Sequence, residues 1–382
     1  MQLQLSAEDE KFRDEMRTFF TTEVSQEIRT TVAEGRELTK EQIVESQQTL
    51  NKAGLAVPHW PEEYGGRGWS DLQRHIWNEE MQAACVPIPL AFNASMIGPV
   101  IAQFGSQEQK DEFLPKTANL DIWCSQGFSE PDAGSDLAGL RTTAVKDGDD
   151  YIVNGQKTWT TLGQYGDWIF TLVRTDPEVK KQAGISMLLI DMRSDGLEVR
   201  PIELIDGGHE VNEVWFTDVR VPAKNLVGEE NSGWTQAKFL LGNERVGVAP
   251  VGSTKRVLAR AKELGAELVK DDPLLRARII ELENELLALE LTALRVVAHS
   301  EGGEPHPASS VLKLKGTELQ QAVSELVVDL GGPDTLASGE EGDTESWYRR
   351  STPTYLNLRK ASIYGGSNEV QRQIISRTIL GL

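Results

Sequence analysis

The sequence predicts an α+β chain in which helices come first, strands fill the middle and helices return. Three observations carry that expectation. Up to about residue 120, apolar residues recur at helical spacing behind serine and threonine caps. Between residues 121 and 232, short runs of β-branched and aromatic residues alternate with turn signals. From Gly233 the helical period resumes. The expected divisions are an N-terminal helical domain over 1–120, a middle β-domain over 121–232 and a C-terminal helical domain over 233–382. A chain of 382 residues is long enough for two or three such domains, each with a core of its own.

Taken in order, Ser6 followed by Asp9 predicts a capped helix start, and Phe12, Met16, Phe19 and Phe20 follow at helical spacing. Thr39 with Gln42 predicts a second cap. Ile43 and Leu50 share the face behind it, and Gly54 is placed to end that helix. Residues 61–68, with three glycines and a proline, read as a loop. Ser70 and Ser106 open further helices, the second expected to close near Pro115. In the middle part, Asn154-Gly155 predicts a hairpin turn, because both residues tolerate positive φ. Strands are expected over 168–174, 185–192, 197–204 and 211–221. Trp234, Phe239, Leu240 and Leu241 begin the next helix, and the leucine-rich, acid-studded stretch 275–298 reads as a bundle helix. Gly331-Gly332-Pro333 breaks another helix, and Arg359 to Leu380 is expected to carry the last.

Lysine and arginine total 39 against 59 aspartates and glutamates, a net charge of −20. That balance excludes nucleic-acid or anionic-membrane binding through bulk charge, while leaving room for an anion held by a local cluster. No apolar run approaches the ~18 residues of a membrane span, and the acidic start lacks the apolar stretch of a signal peptide, so a cytoplasmic protein is expected. The two cysteines, Cys85 and Cys124, form neither a disulfide framework nor a CxxC pair. None of the five histidines stands at metal-ligand spacing. The GxSxG, GxGxxG and GxxxxGK[ST] signatures are all missing, which removes the main support for hydrolase, Rossmann and P-loop chemistry. Asn93-Ala94-Ser95 matches a glycosylation sequon but has no secretion signal to give it meaning.

Three segments are suited to chemistry. Gln126-Gly-Phe-Ser-Glu-Pro-Asp-Ala-Gly-Ser-Asp136 combines small residues, hydroxyls and glycine, so backbone N–H groups can approach a ligand closely; the same composition also suits a solvated loop. Asn154-Gly-Gln-Lys-Thr-Trp-Thr-Thr161 carries Trp159, which suits either stacking on a flat cofactor or a place in the core. Tyr364-Gly-Gly-Ser-Asn-Glu-Val-Gln-Arg372 sets glycines before a helix, where free N–H groups either hold phosphate or are simply capped.

In this order the three segments resemble the acyl-CoA dehydrogenase family, and the resemblance covers essentially the whole chain. Supporting matches are Phe104-Gly-Ser-Gln-Glu-Gln-Lys with Phe113-Leu-Pro115, Glu210 to Pro222, and Gly228-Glu-Glu-Asn-Ser-Gly-Trp234. The resemblance implies an N-terminal α-domain, a middle β-barrel and a C-terminal four-helix bundle, with FAD and an acyl-CoA thioester between them. Carried over by position, Gln126, Gly127, Phe128, Ser129, Gly134 and Ser135 line the flavin. Trp159, Thr160 and Thr161 pack beside its ring system, and Gly366, Ser367, Asn368 and Glu369 meet FAD near the start of the last helix. Ser135, Arg245, Gly365 and Arg377 fall on the acyl-CoA side, Arg377 near the CoA end.

The implied chemistry is α,β-desaturation. A carboxylate removes the α-proton of the thioester while the β-hydride moves to flavin N5. The developing enolate needs electrostatic stabilisation, in this family from a flavin ribityl hydroxyl and a backbone N–H acting on the thioester oxygen. The base needs a raised pKa, which burial beside substrate supplies. Many members carry the base where this chain has Gly365. Glycine removes no proton, yet its N–H remains a donor. A subset of the family carries a glutamate on an earlier helix, immediately before an arginine. The sequence Leu241-Gly-Asn-Glu-Arg245 matches it, so Glu244 is the expected base, the alternative being a salt-bridged structural carboxylate. Adjacent helical residues diverge by about 100°, so Glu244 and Arg245 are not expected to pair directly.

A second departure concerns the neighbouring subunit. Homotetrameric members use Arg-x-x-Phe-Gly to hold the pyrophosphate of the adjacent subunit's FAD. Here the region reads Arg260-Ala-Lys-Glu-Leu-Gly-Ala-Glu267, and Val328 stands near the position of an expected glutamine before Gly331-Gly332. The expectation is an α2β2 hetero-oligomer with a second acyl-CoA dehydrogenase-like subunit. It resembles the heteromeric enzymes of bacterial steroid side-chain breakdown and the large subunits of pimeloyl-CoA-type enzymes. A homo-oligomer with a divergent FAD contact is the alternative. Electron-transferring flavoprotein is the expected electron acceptor. The rivals are a non-catalytic acyl-CoA- or flavin-binding subunit and an acyl-CoA oxidase, a type that tends to carry a further C-terminal domain. The acyl chain stays open among steroid side-chain, dicarboxylyl, branched and straight forms.

Overall fold

The structure, a computed structural model, describes residues 5–244, 250–298, 308–336 and 351–382. The first helices are α1 (Ala7–Thr22), α2 (Gln26–Ala33), α3 (Lys40–Lys52), α4 (Asp71–Ala83), α5 (Gly98–Phe104) and α6 (Gln107–Asn119). The strands are β1 (Cys124–Gly127), β2 (Thr143–Asp147), β3 (Asp150–Thr161), β4 (Trp168–Arg174), β5 (Ile185–Asp191), β6 (Leu197–Ile202) and β7 (Val211–Pro222). Helices return as α7 (Gly233–Glu244), α8 (Val251–Leu264), α9 (Ala266–Asp271), α10 (Pro273–Ala298), α11 (Ser309–Gly331), α12 (Ser351–Asn357) and α13 (Asn368–Ile375). The α+β order is the one the sequence predicts. Among the described residues no helix is long and apolar enough to cross a membrane.

The serine caps read from the sequence at residues 6, 70 and 106 form as local chemistry dictates. The Ser6 hydroxyl accepts from the Asp9 N–H, while Ser70 with Gln73 and Ser106 with Gln109 form reciprocal capping boxes. Gly54 follows α3 at φ +69, as expected of a helix-ending glycine. Pro115 does not close α6, which continues to Asn119. Buried Phe113, Leu114, Thr117 and Ala118 flank the proline on both sides, and their packing holds the helix across the one missing N–H.

The chain divides into two compact units. One comprises Lys40–Gly68 and Pro89–Asn243. Its seven strands form one sheet, the half-barrel of the middle domain, in the order β1-β4-β2-β3-β7-β6 with β5 paired to β4. Its core joins Tyr151, Val153, Ile169, Leu188, Val214 and Phe216. The expected hairpin at Asn154-Gly155 does not form. Strand β3 runs straight through it with a bulge, Gly155 taking φ +149 opposite β7. The hairpin lies one turn earlier, where Asp147 pairs Asp150 across Gly148-Asp149.

The other unit comprises Met1–Thr39, Trp69–Ile88 and Glu244–Leu382. Helices α8, α10 and α11 share a core of Leu258, Ile279, Leu282, Leu286, Leu319 and Leu326. The apolar residues of α10 recur at 279, 282, 286 and 289, one stripe of a 3.6-residue period. The last segment is not the single helix expected from Arg359 to Leu380. Gly365 at φ +61 and Gly366 at φ +87 interrupt it, and α13 starts only after the Ser367 cap.

Candidate active site

The expected site residues fall into two groups, one in each unit. The first group is built on β1 and β3. Strand β1 delivers Gln126 and Gly127 into the 126–136 segment, pairing them with Phe170 and Thr171 of β4. Gly127 is required by packing, because a Cβ there would lie 2.6 Å from Thr171 Oγ1. Phe128 is buried edge-to-face on Phe170.

Residues 128–130 are pinned from β3. The Thr158 N–H donates to Ser129 O at 2.9 Å. The fully buried Lys157 ammonium donates to Phe128 O at 3.2 Å and to Glu130 Oε1 at 2.7 Å. Glu130 also accepts from the N–H groups of Arg141 and Thr142. Burial would raise the Glu130 carboxyl, but Lys157 and these donors hold it below the usual carboxylate range. Burial brings the Lys157 ammonium down to about 8 against the pull of Glu130. Glu130 and Ala133 exchange both backbone hydrogen bonds, closing the turn beneath exposed Gly134 and Ser135.

A second bulge in β3, between Lys157 and Thr160, everts Trp159. That residue takes φ +60 and is 57% exposed, so it is not a core tryptophan. A bulky residue at positive φ with its ring in solvent is strained without any packing return, a pattern associated with function. Thr160 is fully buried and its Oγ1 has no hydrogen-bond partner among the described residues. Thr161 is half-buried at the end of β3, opposite Val211. Gly134 has neither positive φ nor any atom within 4 Å of where a Cβ would stand. Nothing in this chain's own packing requires a glycine there, as a site for close ligand approach would.

The second group surrounds the start of α13. Ser367 caps the helix, its Oγ accepting from the Val370 N–H at 3.4 Å. Buried Asn368 turns Oδ1 toward Lys313 Nζ and Thr317 Oγ1, both at 3.4 Å. Exposed Glu369 is held below the usual carboxylate range by its own helix-start N–H, the Ser367 hydroxyl and nearby cations. Arg377 is exposed and, among the described residues, has no ion-pair partner. Arg260 is also exposed and lies 3.5 Å from Glu263, one turn along α8, while Val328 is half-buried. Glu244 closes α7, but its side chain and all of Arg245 lie outside the described residues.

The sequence reading missed two features. One is the Lys157–Glu130 pair. The other is a polar row on α11, in which Lys313, Thr317, Gln321 and Ser324 bind the backbone or side chains of residues 358–368. Polar residues at i, i+4, i+8 and i+11 on a bundle helix were a readable signal.

Three sequence profiles match the chain in order. The acyl-CoA dehydrogenase N-terminal domain matches residues 6–121, the middle domain residues 125–219 and the C-terminal domain residues 231–380. Acyl-CoA dehydrogenase IpdE1 of Mycobacterium tuberculosis is 38% identical over 88% of this chain and 86% of its own length. The solved Tcur3481-Tcur3483 steroid ACAD superposes with a TM-score of 0.89 at 29% identity, covering 100% of this chain and 99% of its own. The ChsE4-ChsE5 complex from Mycobacterium tuberculosis gives 0.87 at 32% identity, covering 100% and 99%. With all three domain profiles in place and that identity to a named dehydrogenase, the chain belongs to the acyl-CoA dehydrogenase family of oxidoreductases.

Proposed function

We propose that the chain is the flavin-bearing subunit of a dehydrogenase that introduces an α,β double bond into an acyl-CoA thioester. The observation that carries the flavin reading is Trp159, a strained and exposed aromatic side chain. The exposed Gly134 backbone, with no atom among the described residues within 4 Å of where a Cβ would stand, lets a large polar ring system approach. FAD, when bound, supplies the hydride acceptor. Gln126, Gly127, Phe128, Ser129, Gly134 and Ser135 with Trp159, Thr160 and Thr161 would hold its ring, and Gly366, Ser367, Asn368 and Glu369 its far end.

Position 365 is a glycine, so the α-proton needs another base, and we assign that role to Glu244. The Gly365 N–H remains to meet the thioester oxygen. Exposed Arg377 is suited to a CoA phosphate. Arg260 beside Glu263 lacks the family's setting for a neighbour's pyrophosphate, which favours an α2β2 assembly with a second, related subunit. The solved relatives named as two-component assemblies point the same way, and the one named a steroid ACAD puts a steroid side-chain thioester first among substrates to test. Electron-transferring flavoprotein is the acceptor we expect, and the cytoplasm the compartment.

The test is Glu244→Gln. Flavin content and acyl-CoA binding should persist while turnover falls by orders of magnitude, and near-normal turnover would remove Glu244 from the mechanism. One observation, Gly365, favours the rival of a supporting subunit without chemistry of its own. That rival gains if the complete wild-type assembly shows the same turnover as Glu244→Gln.

A further inference from the structure

Gly365 and Gly366 are consecutive residues at positive φ with no side chains to brace them. The chain upstream is anchored, since the N–H groups of Ile363 and Tyr364 both donate to Lys360 O, at 2.8 and 3.0 Å. Downstream, the brace is Gln371, which is 1% exposed. Its Nε2 donates to Gly365 O at 3.5 Å and to Gly366 O at 3.3 Å. Two carbonyls fix the amide's orientation, because a flip would set oxygen against oxygen twice. Gln371 Oε1 is buried and, among the described residues, without a partner, so nothing on that side competes. A Cβ on Gly366 would lie 2.6 Å from Gln371 Nε2, so the glycine makes room for this amide.

A second brace closes the base of the loop. Fully buried Lys313 donates to Ala361 O at 3.2 Å and Asn368 Oδ1 at 3.4 Å, spanning both ends of residues 361–368. Between these anchors the Gly365 N–H donates to no group among the described residues. It is a backbone donor held in place and left vacant.

We propose that Gln371 is the positioning residue that aims the Gly365 N–H, with Lys313 fixing the loop behind it. This rests on the reading above, in which that N–H meets the thioester oxygen. A donor set before substrate arrives needs no reorganisation as the enolate charge develops. Gln371 is buried and acts through the two carbonyls.

The experiment uses the complete flavin-loaded assembly and a 3-thia-acyl-CoA. This analogue can lose its α-proton but has sulfur at the β-position and no hydride to give. Exchange of its α-protons with D2O, followed by NMR, reads enolate formation without turnover. Gln371→Met should slow exchange and kcat about tenfold or more, part of the 10²–10³ that losing an oxyanion donor costs, with the Kd of the analogue within threefold. Gln371→Glu should show a similar loss at neutral pH, because its carboxylate faces two carbonyl oxygens. Measured as a ratio to wild type at the same pH, it should recover as pH falls and a protonated carboxyl donates again. Unchanged exchange in Gln371→Met would overturn the proposal. So would loss of flavin in Gln371→Met without low-pH recovery in Gln371→Glu, which would leave Gln371 a folding role only. Absence of exchange in the wild-type assembly would instead defeat the underlying reading of the site.

Discussion

Lys157→Met tests whether the ion pair beneath the 126–136 segment holds it in place. Lys157 is fully buried and Glu130 is 7% exposed, with 2.7 Å between Nζ and Oε1. Methionine fills a similar volume but leaves the Glu130 carboxylate buried without its cation, a change that costs about 3–5 kcal/mol. Glu130 keeps the N–H groups of Arg141 and Thr142, which argues for the lower end, near ~3 kcal/mol. Phe128 O loses a donor as well. At about 2–4 °C per kcal/mol for a unit of this size, the midpoint of thermal unfolding should fall by roughly 6–12 °C.

The assay is thermal and denaturant unfolding, with amide exchange followed at Ser129 and Glu130. Removing both partners, as Lys157→Met with Glu130→Leu, should recover most of the loss, since an apolar replacement of a buried pair is often near neutral. The pH dependence has a definite sign. Because the folded-state Glu130 carboxyl lies low, its stabilisation is present above the unfolded value of about 4.3 and lost as pH falls through the folded one. The gap between wild type and Lys157→Met should therefore narrow in acid below about pH 4. A single variant within ~0.5 kcal/mol of wild type at pH 7 would refute the reasoning, because that is the range of an ordinary surface substitution.

Two further outcomes follow from the site. Trp159→Gly should relieve the cost of positive φ, about 1 kcal/mol, and raise folding stability slightly while flavin retention drops; a variant that loses both would make Trp159 structural. Arg377→Ala removes an exposed guanidinium, so unfolding should move by less than ~0.5 kcal/mol while KM for acyl-CoA rises about tenfold. An unchanged KM would remove Arg377 from the CoA site.

What was legible in the sequence was what is local. The serine caps at 6, 70 and 106 act within three residues, so sequence alone places them. The strands over 168–174 and 185–191 are continuous apolar runs bounded by turns, and they form with little shift. Asn154-Gly155 misled because a bulge and a hairpin ask for the same residue types. What decides between them is β7, whose partner residues lie about 60 positions away. Gly148, at φ +63 between Asp147 and Asp149, carried the same signal and is where the chain turns. The buried lysines were illegible for a related reason. Lys157 meets Glu130 across 27 residues, and Lys313 meets Ala361 and Asn368 across 48 and 55. Sequence patterns report burial of apolar groups, whereas burial of a charge depends on a partner supplied by the fold.

The glycine at 365 carries the sharpest argument about the site. Enolate formation from a thioester needs a donor at the oxygen and a base at the α-carbon. On the reading proposed above the donor is the Gly365 backbone N–H, which every residue except proline retains, whereas the base is a side chain and can be supplied from another element. On that reading a glycine at 365 lacks the one function and keeps the other. It also removes a steric demand, because φ +61 is strained for a residue bearing a Cβ and free for glycine. Without a side chain, the turn then depends on its neighbours for definition. The amide of Gln371 and the ammonium of Lys313 are what the fold provides. Both braces bear on this turn through backbone carbonyls and the Asn368 amide, so what the fold defines at 365 is the course of the backbone, as the proposed role of its N–H requires.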